Sequence, residues 1–412
     1  MCDPLVVFTY APAGLGHVRV ANALMASIPA QLKYVVFAPS DNSTETMHRF
    51  SSLNVPARHV MEFFQRGLAE ALFTKVYTGW LKRHTGKLAT QFIQLIQSQK
   101  GKPAKIIVVA THFGLAYQLG AIKAQLERTL GVPILLVVQI TDDSPQSVWY
   151  VDSADLIISP SHKTKSALQE FARANNLNQV PLEVVPYPVD PAFAQALTSA
   201  QIAARVDQYT PGGQSPINIV IPVSGAAVGM QFFVHLMRHL HAASPRFVFY
   251  IVCRKAPFTE TFLQLVQHED YVRVFVSAEY KEVVEAYKQV YLAHVIAAEV
   301  TKPSEQAFKA LLHAGSVGGS VLLLADPVGR QEYDNIALLD RHKLLSDDCA
   351  RRRGYILPYG SKASADLILD LFTSGKLLRA FSTFTAPTPT DELGANGVLA
   401  FWQVLGKKLA CC

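Results

Sequence analysis

Residues 5–21 read LVVFTYAPAGLGHVRVA, and the fold turns on how they are read. The apolar run at 5–8 suits a buried strand, Gly14 and Gly16 suit a tight turn, and a helical pattern begins at Val18. A buried strand that passes through a glycine-bearing turn into a helix leaves backbone N–H groups open at the helix start. Such a start suits an anion, for instance a diphosphate. His17 stands at the mouth of this turn, where it can act as a base, donate to a developing negative charge, or simply cap the helix. The dinucleotide fingerprint G-x-G-x-x-G is not met, because Gly14 and Gly16 are followed by His17 with no third glycine.

The same alternation continues along the chain. Apolar, β-rich runs recur at 34–38, 105–110, 134–139 and 156–159, separated by helical patterns that include 18–30 and 115–130. This order predicts βαβ units and a parallel sheet covered on both faces. Residues 181–190 then carry three prolines, and Pro211-Gly212-Gly213 makes another turn. Beyond it the pattern restarts, with candidate strands at 217–222, 247–252, 272–276, 294–297 and 321–324. Two successive α/β halves predict two Rossmann-like, doubly wound domains facing across a cleft, over 1–185 and 186–385, with helices toward the end of the chain. A length of 412 residues agrees, being too long for one ordinary core.

Composition narrows the function. Half the residues are hydrophobic and 17% are charged, a globular balance. The net charge of +6 permits an anionic partner. No dense Lys/Arg stripe with interleaved aromatics occurs, so nucleic acid is not an expected partner. Cys2, Cys253, Cys349, Cys411 and Cys412 show neither metal-site spacing nor a disulfide framework, which fits a reducing compartment and predicts no metal. The N-terminus does not read as a signal peptide, and no run reaches the ~18 apolar residues of a membrane span. A cytoplasmic chain is expected, with peripheral contact at the inner face of a membrane as an option. Residues 60–97 carry that option, since Tyr77 and Trp80 alternate with Lys75, Lys82 and Arg83 at helical spacing. Packing of the same residues on the sheet is the competing reading. Cys411-Cys412 after Lys407-Lys408 reads as an exposed tail rather than a lipid anchor.

Polar patches follow the expected strands, where doubly wound sheets place their sites. Gly16 and His17 form the first, Thr111-His112 the second, and Thr141-Asp142-Asp143 with Trp149 the third. A carboxylate such as Asp142 can serve as base or orient a histidine; it can also cap a turn. The fourth combines Thr301-Lys302-Pro303-Ser304-Glu305 with the run from Asp326 through Gly329 and Arg330 to Gln331-Glu332, and then Asn335. Lys302 suits a phosphate, while Glu305, Gln331 and Glu332 suit sugar hydroxyls. The loop at 223–229, with Ser224 and Gly225, repeats a glycine-bearing turn after the opening strand of the second half.

Taken in order, these pieces resemble the GT-B glycosyltransferases, and within them the group of monogalactosyldiacylglycerol synthase and the peptidoglycan lipid-linked N-acetylglucosaminyltransferase. The resemblance covers most of the chain: GLGHVRVA at 14–21, T-D and W at Thr141, Asp142 and Trp149, PYPVDPAF at 186–193, TKP at 301–303 and GRQEYDN at 329–335. It implies a nucleotide-sugar donor, usually a UDP-sugar, on the C-terminal domain and an acceptor, often lipid-linked, on the N-terminal one. It also implies metal-independent, inverting transfer with no cofactor, and a last helix (386–412) that crosses back to the N-terminal domain. His17 and Asp142 then become the candidate bases. Gly16, Ser224, Gly225, Thr301, Lys302, Ser304, Glu305, Gly329, Gln331 and Glu332 fall on the donor side, and His112, Asp143 and Trp149 on the acceptor side.

Two departures stand out. Ser304-Glu305 occupies the place of a glycine pair, and the family's ribose-binding glutamate would fall near Lys309 or Ala310. Gln146 lies where the diacylglycerol enzymes have a histidine between T-D and W. The expected activity is transfer of a sugar from a nucleotide-sugar to an acceptor hydroxyl. A nucleotide-sugar epimerase or hydrolase of the same fold, or a non-catalytic binder, are the alternatives.

Overall fold

Strands covered by helices on both faces must be apolar at nearly every position, and the central strands here are. Leu5–Thr9 and Ile106–Ala110 are buried throughout, as is Ile134–Gln139. The computed structural model describes residues 3–10, 15–39, 67–223 and 229–410. It contains two six-stranded, all-parallel sheets, which is the α/β doubly wound architecture expected from the sequence.

The first sheet is built from β1 (Leu5–Thr9), β2 (Lys33–Phe37), β3 (Ile106–Ala110), β4 (Ile134–Gln139), β5 (Leu156–Ser159) and β6 (Leu182–Val184), in the order β2-β1-β3-β4-β5-β6. β1 and β3 run in register from Leu5 opposite Ile106 to Thr9 opposite Ala110. The second holds β7 (Ile217–Pro222), β8 (Phe247–Arg254), β9 (Val272–Ser277), β10 (Ala298–Thr301), β11 (Val321–Leu324) and β12 (Gly354–Ile356), in the order β12-β11-β10-β7-β8-β9. In each sheet the order reverses once, between β1 and β3 in the first and between β7 and β10 in the second. Doubly wound sheets bind ligands at such reversals, beyond the carboxyl ends of the strands.

The chain divides into two compact units. One comprises Met1–Pro188, Thr390–Glu392 and Asn396–Cys412, and the other Val189–Pro389 with Leu393–Ala395. The last helix, Gly397–Ala410, belongs to the first unit and packs on its opening strand and helix. Trp402 Nε1 donates to the Leu24 carbonyl (3.1 Å), and its indole meets Phe8 edge-on at 6.2 Å. Gly397 makes the close approach feasible: a Cβ there would lie 2.2 Å from the Pro186 carbonyl oxygen.

Three elements differ from the sequence expectation. The strand placed at 294–297 is β10, four residues later, because Glu299 breaks the apolar run that would have marked it. His294 instead ends the helix Tyr280–Ala293, its N–H donating to the Val290 carbonyl. β6 and β12 were not anticipated, being three-residue edge strands too short for a period to register. Among the described residues no helix is long and apolar enough to cross a membrane.

Candidate functional site

In the first unit the residues that follow β1, β3 and β4 converge. His17 occupies the first turn of helix Leu15–Ala26, beside Gly16. Its Nδ1 lies 2.6 Å from the Thr111 carbonyl oxygen, while Thr111 Oγ1 donates back to the His17 carbonyl (2.9 Å). A carbonyl only accepts, so Nδ1 carries the proton, and in the neutral imidazole Nε2 is the basic nitrogen. Thr141 Oγ1 approaches the same Nδ1 at 3.4 Å, and the Thr141 carbonyl is held by the Tyr187 hydroxyl (3.0 Å). The His17 ring meets His112 edge-on at 4.9 Å and lies 6.3 Å from Trp149. His112 caps helix Phe113–Leu130, and Trp149 is buried against the Phe113 ring at 5.5 Å.

The carboxylates after β4 part company. Asp142 is half-buried, next to Thr141. Asp143 is fully buried and accepts from Ser161 Oγ and from Thr164 Oγ1 (2.9 Å), at the start of helix His162–Ala174. Asp143, expected on the acceptor side, braces the Ser161 cap with its carboxylate. Trp149, likewise expected to face an acceptor, is 2% exposed and packs in the core of this unit.

In the second unit the ends of β10 and β11 gather the other group. Lys302 Nζ donates to the Asp326 carbonyl. Asn335, from helix Arg330–Arg341, donates to the Pro303 carbonyl (3.0 Å), tying the two strand ends together. Ser304 precedes the 3-10 helix Glu305–Leu311, and Thr301 is buried with its carbonyl accepting from Ala325 N (2.8 Å). Glu332 accepts from Val328 N (2.7 Å). Burial, with the Glu305 and Asp326 carboxylates adding to it, pushes the Glu332 carboxyl up to about 7, against the opposing pull of the Val328 N–H and Lys302. Gly329 and Gln331 adjoin, a Cβ at 329 coming within 3.2 Å of Gln331 Oε1. Ser224 and Gly225 lie outside the described residues, as do Gly14, Cys411 and Cys412. Helix Met230–Ala243 starts just beyond the loop at Gly229, whose φ of 83° suits glycine.

Sequence reasoning missed the support beneath this group. Lys309 and Ala310, where the resemblance would put a ribose-binding carboxylate, are 2% and 1% exposed and face the interior. The Lys309 ammonium pairs with Glu299 and contacts Tyr287 and Tyr291 (2.7 Å to the latter hydroxyl). A lone charge inside an apolar run was the available signal, because Glu299 stands between Ala298 and Val300. Among the described residues no group of three or more metal-ligating side chains comes together.

No protein-family model and no curated protein sequence matches the chain. Solved structures do. S. aureus MnaA in a co-structure with UDP is 13% identical, covering 100% of this chain and 98% of its own, with a TM-score of 0.53. A Listeria monocytogenes protein described as a UDP-N-acetylglucosamine 2-epimerase is 10% identical over 99% and 98%, with a TM-score of 0.51. A UDP-glucosyltransferase from Polygonum tinctorium is 11% identical over 98% and 99%, with a TM-score of 0.48. At such identities the likeness speaks for architecture alone: the chain has a two-domain α/β fold of the GT-B type.

Proposed function

We propose that this chain is a nucleotide-sugar enzyme in which the second unit holds a UDP-sugar and His17 activates an acceptor hydroxyl for attack on the anomeric carbon, with inversion. The observation that carries this reading is the 2.6 Å contact from His17 Nδ1 to the Thr111 carbonyl, which leaves Nε2 as the base at a sheet reversal. The departing diphosphate needs compensating positive charge. Lys302 and the N-terminal end of helix Met230–Ala243 supply it. Glu305, Gln331 and Glu332 take sugar and ribose hydroxyls.

The acceptor is a lipid or small molecule, in keeping with the resemblance to the diacylglycerol and lipid-linked enzymes. Helix Gly67–Arg83 supports a lipid, since it exposes Val76 and Trp80 and ends in Lys82-Arg83. Lys82 also pairs with Asp152 (2.9 Å), so Trp80 and Arg83 would carry most of the membrane contact. Co-sedimentation with anionic vesicles that persists after Trp80 and Arg83 are both changed to Ala would remove this feature from the account.

A second reading has its own observation. Lys302, Glu305 and Asp326 all act on the Glu332 carboxyl, which, raised to about 7, can both give and take a proton at neutral pH. That equipment suits an epimerase. Incubation with a UDP-sugar panel, with and without a mixture of lipid and small-molecule alcohols, separates the two. A glycosylated acceptor supports transfer, isomerised UDP-sugar formed without acceptor replaces it with epimerisation, and an unchanged panel refutes both.

A further inference from the structure

We infer that the solvent face of helix Met230–Ala243 is a two-histidine site for a divalent transition-metal ion such as Zn(II), held between the imidazoles of His235 and His239. The inference is independent of the sugar-transfer reading. The helix turns Phe233, Val234, Leu236, Met237 and Leu240 into the core of the second unit. Gln231, His235, Arg238, His239 and Ala242 form the opposite, exposed face. That packing brings the two histidines onto one stripe. Residues four apart on a helix are neighbours, with Cβ atoms ~5–6 Å apart. The same spacing lets the two histidines of an H-E-x-x-H helix ligate one zinc, each ring nitrogen ~2.0–2.1 Å from it.

No structural task occupies these two rings. Among the described residues neither imidazole takes part in a hydrogen bond, an ion pair or a ring contact. His241, on another side of the same helix, shows the contrast: it stacks on Tyr271 at 3.8 Å, and its Nδ1 lies 3.3 Å from the Phe247 carbonyl oxygen. Helix formation does not call for His235 and His239 either, since Lys, Arg, Gln and Glu are better helix formers. Arg238 shares their face and would repel a cation. Glu269 offsets that charge, accepting from Arg238 Nε (3.1 Å) and Nη2 (3.0 Å).

Imidazole suits Zn(II), Cu(II) and Ni(II), whereas Mg(II) and Ca(II) take oxygen ligands. Two protein ligands are fewer than the four of a structural zinc site, so water completes the shell and the ion is exchangeable. Both ligands come from one helix, four residues apart, and face each other only while that helix is formed. The ion therefore favours the closed segment over the locally opened one and clips the helix that begins just after Gly229.

Hydrogen exchange of the full-length, EDTA-washed protein titrated with ZnCl2 tests this. Zn(II) should slow exchange selectively within residues 230–243, by up to ~100-fold at a hundred times Kd where exchange proceeds through local opening. MgCl2 at the same concentrations should leave the segment unchanged. His235→Asn and His239→Asn, both at exposed positions, should each shift the zinc midpoint at least about tenfold higher, since even an outer-shell partner of a metal is worth that much. A third variant, His239→Ala/Ala242→His, keeps the number of histidines but sets the two imidazoles ~10 Å apart along the axis, too far to share an ion. It should lose the effect as the single variants do. Zinc that leaves exchange in 230–243 unchanged, or protection that survives in the respaced variant, overturns the inference.

Discussion

Thr111 orients His17 through its carbonyl, which fixes the imidazole in one tautomer with Nε2 as the basic nitrogen of the neutral ring. His17→Ala should therefore lower turnover by ~10²–10⁴-fold, the usual loss for a general base, with donor affinity within a few-fold of the parent. Near-normal kcat in that variant would reduce His17 to a helix cap. Glu332 carries a second prediction at this scale. Its carboxyl, ordinarily near 4.5, is raised to about 7 in the folded protein. Between those values the folded state keeps a proton that the unfolded chain releases, so this group's contribution to stability falls as pH rises from about 4.5 to about 7, then levels off. Glu332→Gln should remove the penalty and gain roughly 1–3 kcal/mol over the parent at pH 8, and little at pH 4. Urea midpoints at the two pH values measure the difference, and parallel shifts at both would contradict the assignment.

At the scale of elements, β10 and the 3-10 helix Glu305–Leu311 are joined by the Glu299–Lys309 pair, with the Tyr287 hydroxyl bridging to Gln306 (2.8 Å). Removing one member leaves an uncompensated buried charge. Lys309→Met should cost about 3–5 kcal/mol, and the Glu299→Gln/Lys309→Met double variant should recover most of it. Equal loss in both variants would mean that packing, not charge, dominates there. This pair also explains where the sequence stops being legible. β1, β3, β4 and β7 announce themselves because strands buried on both faces are uninterrupted apolar runs. β10 hides behind a charge whose partner lies ten residues further on, and β6 and β12 are too short to show a period. The patches after β1, β3, β10 and β11 were visible as polar residues ending apolar runs. Their division of labour was not: nothing in T-D-D tells that Asp143 turns inward to Ser161, or that Thr111 reaches His17 across 94 residues.

For the molecule as a whole, two parallel sheets each reverse strand order once, and each reversal carries polar residues able to engage a ligand. The net charge of +6 does not come from the second of these places, where three carboxylates stand against one ammonium: Glu332 feels Glu305 and Asp326 as well as Lys302. In the proposed function, binding a diphosphate there would fall to Lys302 and the backbone N–H groups at the helix start. The most direct test of the account is a thermal-shift titration with UDP, run on the parent protein and on Lys302→Ala. A ligand that binds the folded state stabilises it in proportion to the logarithm of its concentration over Kd once that ratio is large. The account predicts a parent Tm that climbs with log UDP concentration and a Lys302→Ala curve displaced to at least about tenfold higher concentration, the loss of a charged hydrogen bond. A parent Tm that ignores UDP, or two superimposable curves, would contradict it.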